Sequence, residues 1–221
     1  MATVVQISGL PGTGKTFGAY TLNPDSTYII QADKKGLPWA GWKKQYNKDK
    51  KNYAETSDAN TIYKLCKGVA ESRPEVNVII IDTLNSIMSD YEMSQRKQSS
   101  FDKWMEMAAQ VYDLLGLLRE IPREDLVIFV TAHIEPYEVE GETYWRTKTN
   151  GQKLTKLNLN SRLNYNLYTH VEHNPITEKS EYQFVTQSNG KNEARSAFGV
   201  LPYKMPNDLE AVRKAILESE S

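Results

Sequence analysis

Four stretches of this chain are apolar and rich in β-branched residues: Thr3 to Ser8, Thr27 to Ala32, Val76 to Asp82 and Leu126 to Ala132. Runs with so few polar interruptions mark strands covered on both faces, as in a parallel sheet. Between them, apolar residues recur at helical spacing over Lys15 to Leu22, Asp58 to Ser72, Leu84 to Arg96 and Phe101 to Ile121, the last preceded by the capping arrangement Ser99-x-x-Asp102. Strands alternating with helices predict right-handed crossovers and an α/β fold, its mostly parallel central sheet sandwiched by helices.

After His133 the texture becomes alternating and turn-rich. Tyr137 to Val139 and Thr143 to Thr147 flank Glu140-Gly141-Glu142, and Tyr165 to Glu172 with Glu181 to Gln187 flank Asn174-Pro175, so two antiparallel pairs are expected. Asn207 is expected to cap a final helix reaching about Glu218, with Leu209, Val212 and Ile216 along one face. No repeat or linker interrupts the 221 residues. They read as one domain with a core over 1–133, an antiparallel extension over 134–206 and a terminal helix over 207–221.

The first apolar run feeds Gly9-Leu10-Pro11-Gly12-Thr13-Gly14-Lys15-Thr16, a complete phosphate-binding loop followed by Phe17. Glycines are needed there because the backbone wraps a polyphosphate closely, with inward-pointing amides as donors. Lys15 is expected at the β and γ phosphates, and the Thr16 hydroxyl on Mg²⁺. Gly9, Pro11, Gly12, Thr13, Gly14, Lys15, Thr16 and Phe17 are therefore the candidate nucleotide contacts, with ATP and Mg²⁺ as the cofactors. The third run, Val78-Ile79-Ile80-Ile81-Asp82, ends in a carboxylate suited to hold the same Mg²⁺. Thr83 stands where many ATPases carry a catalytic glutamate, so the base must come from elsewhere. Asp33, ending the second run, is the candidate for aligning the attacking water, with Glu92 and Glu135 next in line. His133 ends the fourth run and would face the γ-phosphate if that strand lies between the first and third.

Charge changes the picture only locally, because 27 basic residues nearly cancel 28 acidic ones. From Lys34 to Lys51 seven lysines stand against the single acid Asp49, interleaved with Trp39, Trp42 and Tyr46 and followed by Tyr53. Cations that neutralise phosphates beside aromatic faces that stack on bases are what a single-strand surface requires, with Lys43 and Lys44 at its centre. A second candidate is the acid-free stretch Thr143 to Val171, with Arg146, Lys148, Lys153 and Lys156. The lone Cys66 excludes a disulfide within the chain, and His170 with His173 lack the partners of a metal site. The longest apolar runs are too short for a bilayer and the chain opens on a strand, so no membrane association and a cytoplasmic location are expected.

Taken in order, these motifs resemble the RecA-type recombinase core, and most of all the core-only phage ATPases of the Sak-four group of single-strand annealing proteins. That family has a carboxylate at the position of Asp33, a Mg²⁺ aspartate without a following glutamate, as in Asp82-Thr83, and a polar sensor at the position of His133. Its mobile DNA loop and following helix are matched by Thr149-Asn150-Gly151-Gln152-Lys153-Leu154 leading to Ser161-Arg162-Leu163. Phe184 to Lys191, followed by Arg195-Ser196-Ala197-Phe198, is similar to the segment that sends basic residues into a neighbour's site. The resemblance implies a RecA-like ATPase, slow alone and stimulated by DNA, acting in phage recombination or annealing in the bacterial host cytoplasm. It also implies single-stranded DNA, a single-strand-binding protein and further copies of the chain as partners, with Lys191 or Arg195 completing a neighbour's catalytic site. A nucleoside or nucleotide kinase, and an ATP-switched helicase loader or packaging protein, are the alternatives left open.

Overall fold

The computed structural model describes residues 1–96, 102–150 and 159–220. The expectations placed on Ser99, Lys153, Lys156 and most of the segment matched to the DNA loop lie outside these residues. One nine-stranded sheet organises the chain: β1 (Thr3–Gly9), β2 (Thr27–Gln31), β3 (Tyr53–Glu55), β4 (Val78–Asp82), β5 (Val127–Val139), β6 (Glu142–Thr147), β7 (Tyr165–Asn174), β8 (Lys179–Val185) and β9 (Lys204–Pro206). The strand order is β3-β2-β4-β5-β1-β7-β8-β9, with β6 pairing off the path against β5. From β3 through β7 neighbours run parallel, while β6, β8 and β9 add antiparallel pairs. This is the α/β class expected, a mostly parallel sheet with antiparallel strands towards the C-terminus.

Alternate residues of the central strands feed two large cores, and Tyr168, Val185 and Ala194 form a smaller third cluster. Val4, Ile30, Ile79, Ile81, Ile128 and Val130 face α2 (Ala59–Ser72), α3 (Leu84–Ser94) and α4 (Asp102–Arg119). Val5, Ile7, Ile29, Ile80 and Phe129 face α5 (Leu209–Ser219), together with Leu37, Tyr46 and Tyr53. Among the described residues, no helix is long and apolar enough to cross a membrane. Cys66 is fully buried on α2, as its helical spacing predicts.

Three local expectations are corrected. The helix predicted over Lys15 to Leu22 is only a 3₁₀ turn, Phe17–Thr21. Gly18 weakens any helix there, and Pro24 forces Asn23 into an extended backbone, so too few residues remain to nucleate an α-helix. The fourth strand does not stop at Ala132 but continues to Val139, pairing Ile134 with Thr147 through a hairpin whose turn residues Glu140 and Gly141 both have positive φ, 52° and 80°. The last helix is capped by Asp208, whose carboxylate accepts from the Ala211 amide at 2.9 Å, while Asn207 reaches away to the phosphate-binding loop. The lysine-rich stretch also yields a short helix, α1 (Trp42–Gln45).

Phe129 is fully buried on β5, the strand between β1 and β4. Phe129→Ala should therefore destabilise the fold by about 3–5 kcal/mol, read as a lowered denaturant midpoint at unchanged slope.

Candidate nucleotide-binding site

Strand order brings the predicted chemistry to one edge of the sheet. Gly9 at the end of β1 is in register with His133 on β5, and Gln31 at the end of β2 with Asp82 on β4. A cavity of about 630 Å³ opens there, lined by Gly12, Lys15, Thr16, Asp82 and His133 and flanked by Phe17 and Tyr182. Clefts at the carboxyl ends of parallel strands are where such sheets hold ligands.

The loop from Gly9 to Thr16 is held on its outer side by β7, β8 and Asn207. Thr13 Oγ1 lies 2.5 Å from Thr169 Oγ1, and Asn207 Nδ2 donates to the Gly14 carbonyl at 2.9 Å. Gly14 has φ +91°, and a Cβ there would sit 2.8 Å from both Asn207 Nδ2 and the Tyr182 ring, so the position demands glycine twice over. Lys15 Nζ donates to the carbonyls of Gly9 and Leu10 at 3.0 and 2.8 Å. Burial, and then the Lys35 charge, lower its pKa to about 8 against the pull of Asp82. An ammonium this poorly solvated gains much from an anion.

Asp82 is the centre of the cluster. Its Oδ2 accepts from Thr16 Oγ1 at 2.9 Å, and its Oδ1 from Thr131 Oγ1 at 2.5 Å. Gln31 Nε2 approaches Oδ2 at 3.5 Å. Burial pushes the carboxyl above the usual range despite these donors, and the nearby Asp33 charge adds to the shift. A divalent cation would reverse that cost. One hydroxyl and one carboxylate fit Mg²⁺, which keeps most of its octahedron for waters and phosphate oxygens. No cluster of three or more His, Cys, Asp or Glu among the described residues offers a metal an all-protein cage. The Asp82-Thr83 peptide is cis.

Asp33 follows β2 with its side chain 12% exposed, and an ion pair of 2.5 Å joins it to Lys35. It does not line the cavity, whereas Lys35 does. Lys35, expected from sequence only as one of the seven lysines of a DNA surface, lines this cavity instead; its signal is a lysine two positions beyond a strand-end carboxylate. Sequence reasoning also passed over Thr131, which steadies Asp82, and Tyr182, which packs on Gly14. Of the other candidate bases, Glu135 pairs with Arg146 at 2.9 Å and Glu92 accepts from Asn150 at 3.0 Å.

His133 meets the condition set for it, since β5 does lie between β1 and β4. Its backbone amide donates to Asn85 Oδ1 at 2.7 Å, and Asn85 Nδ2 donates to the Lys148 carbonyl at 2.9 Å. Among the described residues the ring's buried Nδ1 has no hydrogen-bond partner. Burial, followed by the charges of Lys15, Lys35 and Lys148, lowers its pKa to about 4, so the imidazole is neutral at pH 7.

The remaining candidates lie apart from the cavity. Lys191 pairs with Glu142 on the hairpin, and the Arg195 backbone bridges to Asn166 on β7. Tyr46 and Tyr53 are 1% and 8% exposed, which withdraws both from any base-stacking surface. Trp39 and Trp42 pack against them with ring centroids 6.2 and 5.3 Å apart, leaving Lys43, Lys44 and their neighbouring lysines as a cationic rim over an aromatic core. Arg146 and Lys148 stand at the base of the hairpin, whose outer end carries Glu138, Glu140 and Glu142.

No family model matches the chain, and no curated protein matches it. Among solved structures, it is similar to a KaiC-like protein from the hyperthermophilic archaeon Pyrococcus horikoshii OT3, with 11% identity over 88% of this chain and 83% of that one, at a TM-score of 0.48.

The unfolded chain protonates His133 near the ordinary value of 6.5, while the folded one resists down to about 4. Stability from this residue is thus complete above about pH 6.5 and drains as pH falls towards 4. His133→Gln should flatten that part of the profile, seen as a smaller loss of denaturant midpoint between neutral and acid pH.

Proposed function

We propose that this protein is a Mg²⁺-dependent ATPase that binds single-stranded DNA and supports phage-type recombination or strand annealing. The observation that carries the nucleotide reading is the buried Asp82 carboxylate held between Thr16 of the loop and Thr131 of β5, beside the desolvated Lys15. Together these offer a cation for phosphate oxygens and two oxygen ligands for the metal that accompanies them. When bound, Mg²⁺ would be held by the Thr16 hydroxyl and the Asp82 carboxylate and would supply positive charge to offset that of the phosphates.

The residues divide the work by position. Backbone amides of Gly12 to Thr16 cradle the phosphates, and Lys15 turns from the Gly9 and Leu10 carbonyls to reach them. Phe17 and Tyr182, with ring centroids 5.5 Å apart, supply an apolar flank for the base. Asp33, once released from its ion pair with Lys35, aligns a water for attack on the terminal phosphorus and takes its proton. The bond to the bridging oxygen breaks, leaving ADP and inorganic phosphate. His133, neutral at pH 7, donates a hydrogen bond to a terminal phosphate oxygen and leads directly into the hairpin.

Support for the DNA reading is electrostatic. The rim of Lys43 and Lys44 and the hairpin base at Arg146 and Lys148 offer cations, while the glutamates at the hairpin's outer end disfavour phosphates there. Neither Lys191 nor Arg195 lines the cavity of its own chain, which suits the role of completing a neighbour's site. The reading takes further copies of the chain and a single-strand-binding protein as its partners.

An ATPase assay run across protein concentrations, with and without single-stranded DNA, tests the whole reading. The rate per subunit should rise with both, and a rate indifferent to concentration would remove the shared site. Asp33→Asn should retain ATP binding while turnover falls by roughly 10² to 10⁴. Retained turnover would move the base to Glu92 or Glu135.

Binding to a labelled single strand should weaken as salt rises. The double change Lys43→Glu with Lys44→Glu should make that dependence shallower, by a slope of roughly one for each phosphate no longer neutralised. An unaltered slope would place the DNA elsewhere.

A further inference from the structure

The loop after β2 is built to aim one side chain. Gln31 is fully buried and clamps Gly36 from both sides, its Nε2 donating to the Gly36 carbonyl at 2.9 Å and its Oε1 accepting the Gly36 amide at 2.7 Å. Tyr53 OH, which donates to the Glu55 carboxylate at 2.8 Å, lies 3.2 Å from the same Oε1. Within the clamp, Lys34 has φ +56° and Gly36 φ +86°, and a Cβ on Gly36 would meet the Trp42 ring at 2.9 Å. The backbone is thereby fixed, and the residue at its apex, Lys35, lines the cavity with a side chain 66% exposed.

The ammonium so delivered has two possible partners. One is Asp33, at 2.5 Å. The other is whatever anion fills the space bounded by Lys15, Asp82 and His133, all three of which feel the Lys35 charge. Among the described residues lining that space, Lys15 and Lys35 are the cations. An ion pair with one partner this exposed is worth little, so exchanging it costs little. A terminal phosphate offers greater negative charge and more acceptor oxygens than one carboxylate, and the flexible lysine stem can swing to it.

We propose that Lys35 is a γ-phosphate-sensing residue that holds Asp33 paired until a nucleoside triphosphate enters, then moves to its terminal phosphate and releases the Asp33 carboxylate to receive water. This rests on the nucleotide reading above and deepens it. The base is withheld from water by the same lysine that the substrate's own charge draws away, and a diphosphate, lacking the third phosphate, leaves the pair closed. Lys35 thus acts within its own chain, separately from any residue a neighbour contributes.

The test is the ratio of ATP to ADP affinity in Mg²⁺, measured by calorimetry on the full chain for wild type, Lys35→Ala, Lys35→Gln and Lys35→Arg. Removing one charge-assisted interaction confined to the terminal phosphate should weaken ATP binding by roughly tenfold or more in the Ala and Gln variants. ADP affinity should stay within about twofold, and Lys35→Arg should keep most of the discrimination. If wild type binds both nucleotides and the Ala and Gln variants weaken both equally or neither, Lys35 is only a surface partner of Asp33 and the inference is overturned while the nucleotide site stands. Binding of neither nucleotide to wild type would overturn both. Because Lys35 is exposed, the variants should keep the wild-type denaturant midpoint, and the two neutral variants check one another.

Discussion

One buried carboxylate sets the terms for the rest of the structure. Asp82 ends β4 with 2% of its surface exposed, and it remains tolerable there only because hydroxyls converge on it from the phosphate-binding loop and from β5. Those donors come from segments far apart in sequence, so the parallel pairing of β1, β4 and β5 must form before the group is satisfied. The sheet order and the site's chemistry are in this sense a single constraint. Placing β5 between β1 and β4 puts Thr131 within reach of Asp82 and, two residues on, His133 opposite Gly9.

Much of this was legible in the chain because it is locally encoded. Apolar runs of four to seven residues located four of the core strands, and the spacing of glycines with Lys15 and Thr16 located the loop. Asp33, Asp82 and His133 were found by a positional rule, that ligands gather at the carboxyl ends of parallel strands. What escaped is non-local. Whether Lys15 to Leu22 coils into an α-helix depends on Gly18, on Pro24 and on the room left by α5, which begins almost two hundred residues later. Tyr46 and Tyr53 look like stacking residues in a lysine-rich stretch, yet the opposite face of the sheet needs their bulk. The partnership of Asp33 with Lys35 becomes visible only once the turn between them is fixed by Gln31 and Gly36.

Placement also explains why the electrostatics of the site are uneven. Lys15 and His133 are both pushed towards their neutral forms, while Asp82 is pushed towards protonation. In each case burial is the first cause. A site so arranged is costly on its own and is relieved by a ligand carrying both signs, a polyanion with its divalent cation. Burial has already stripped these groups of much of their water, so part of the desolvation cost of binding such a ligand is met in the folded chain.

The hairpin formed by β5 and β6 is fastened at its base from two directions. On one side Asn85, three residues beyond Asp82, accepts from the His133 amide and donates to the Lys148 carbonyl, while Lys148 N donates to the His133 carbonyl at 2.7 Å. On the other, Gln6 of β1 donates to Thr147 at 2.8 Å and Asn160 at 3.0 Å, and Glu193 accepts from the Thr147 amide at 2.9 Å. Both fastenings begin on elements that also shape the cavity at the strand ends, β1 through the loop it feeds and α3 through the aspartate it follows. Buried polar groups rigidify what they join when their bonds are made, and here most are: among the described residues Gln6 Oε1 is the member of this network left buried without a partner. The outer end of the hairpin is acidic, while at its base Arg146 is paired with Glu135 and the Lys148 backbone is tied to Asn85 and His133, so the cationic charge there is held in place by the same bonds that fasten the two strands.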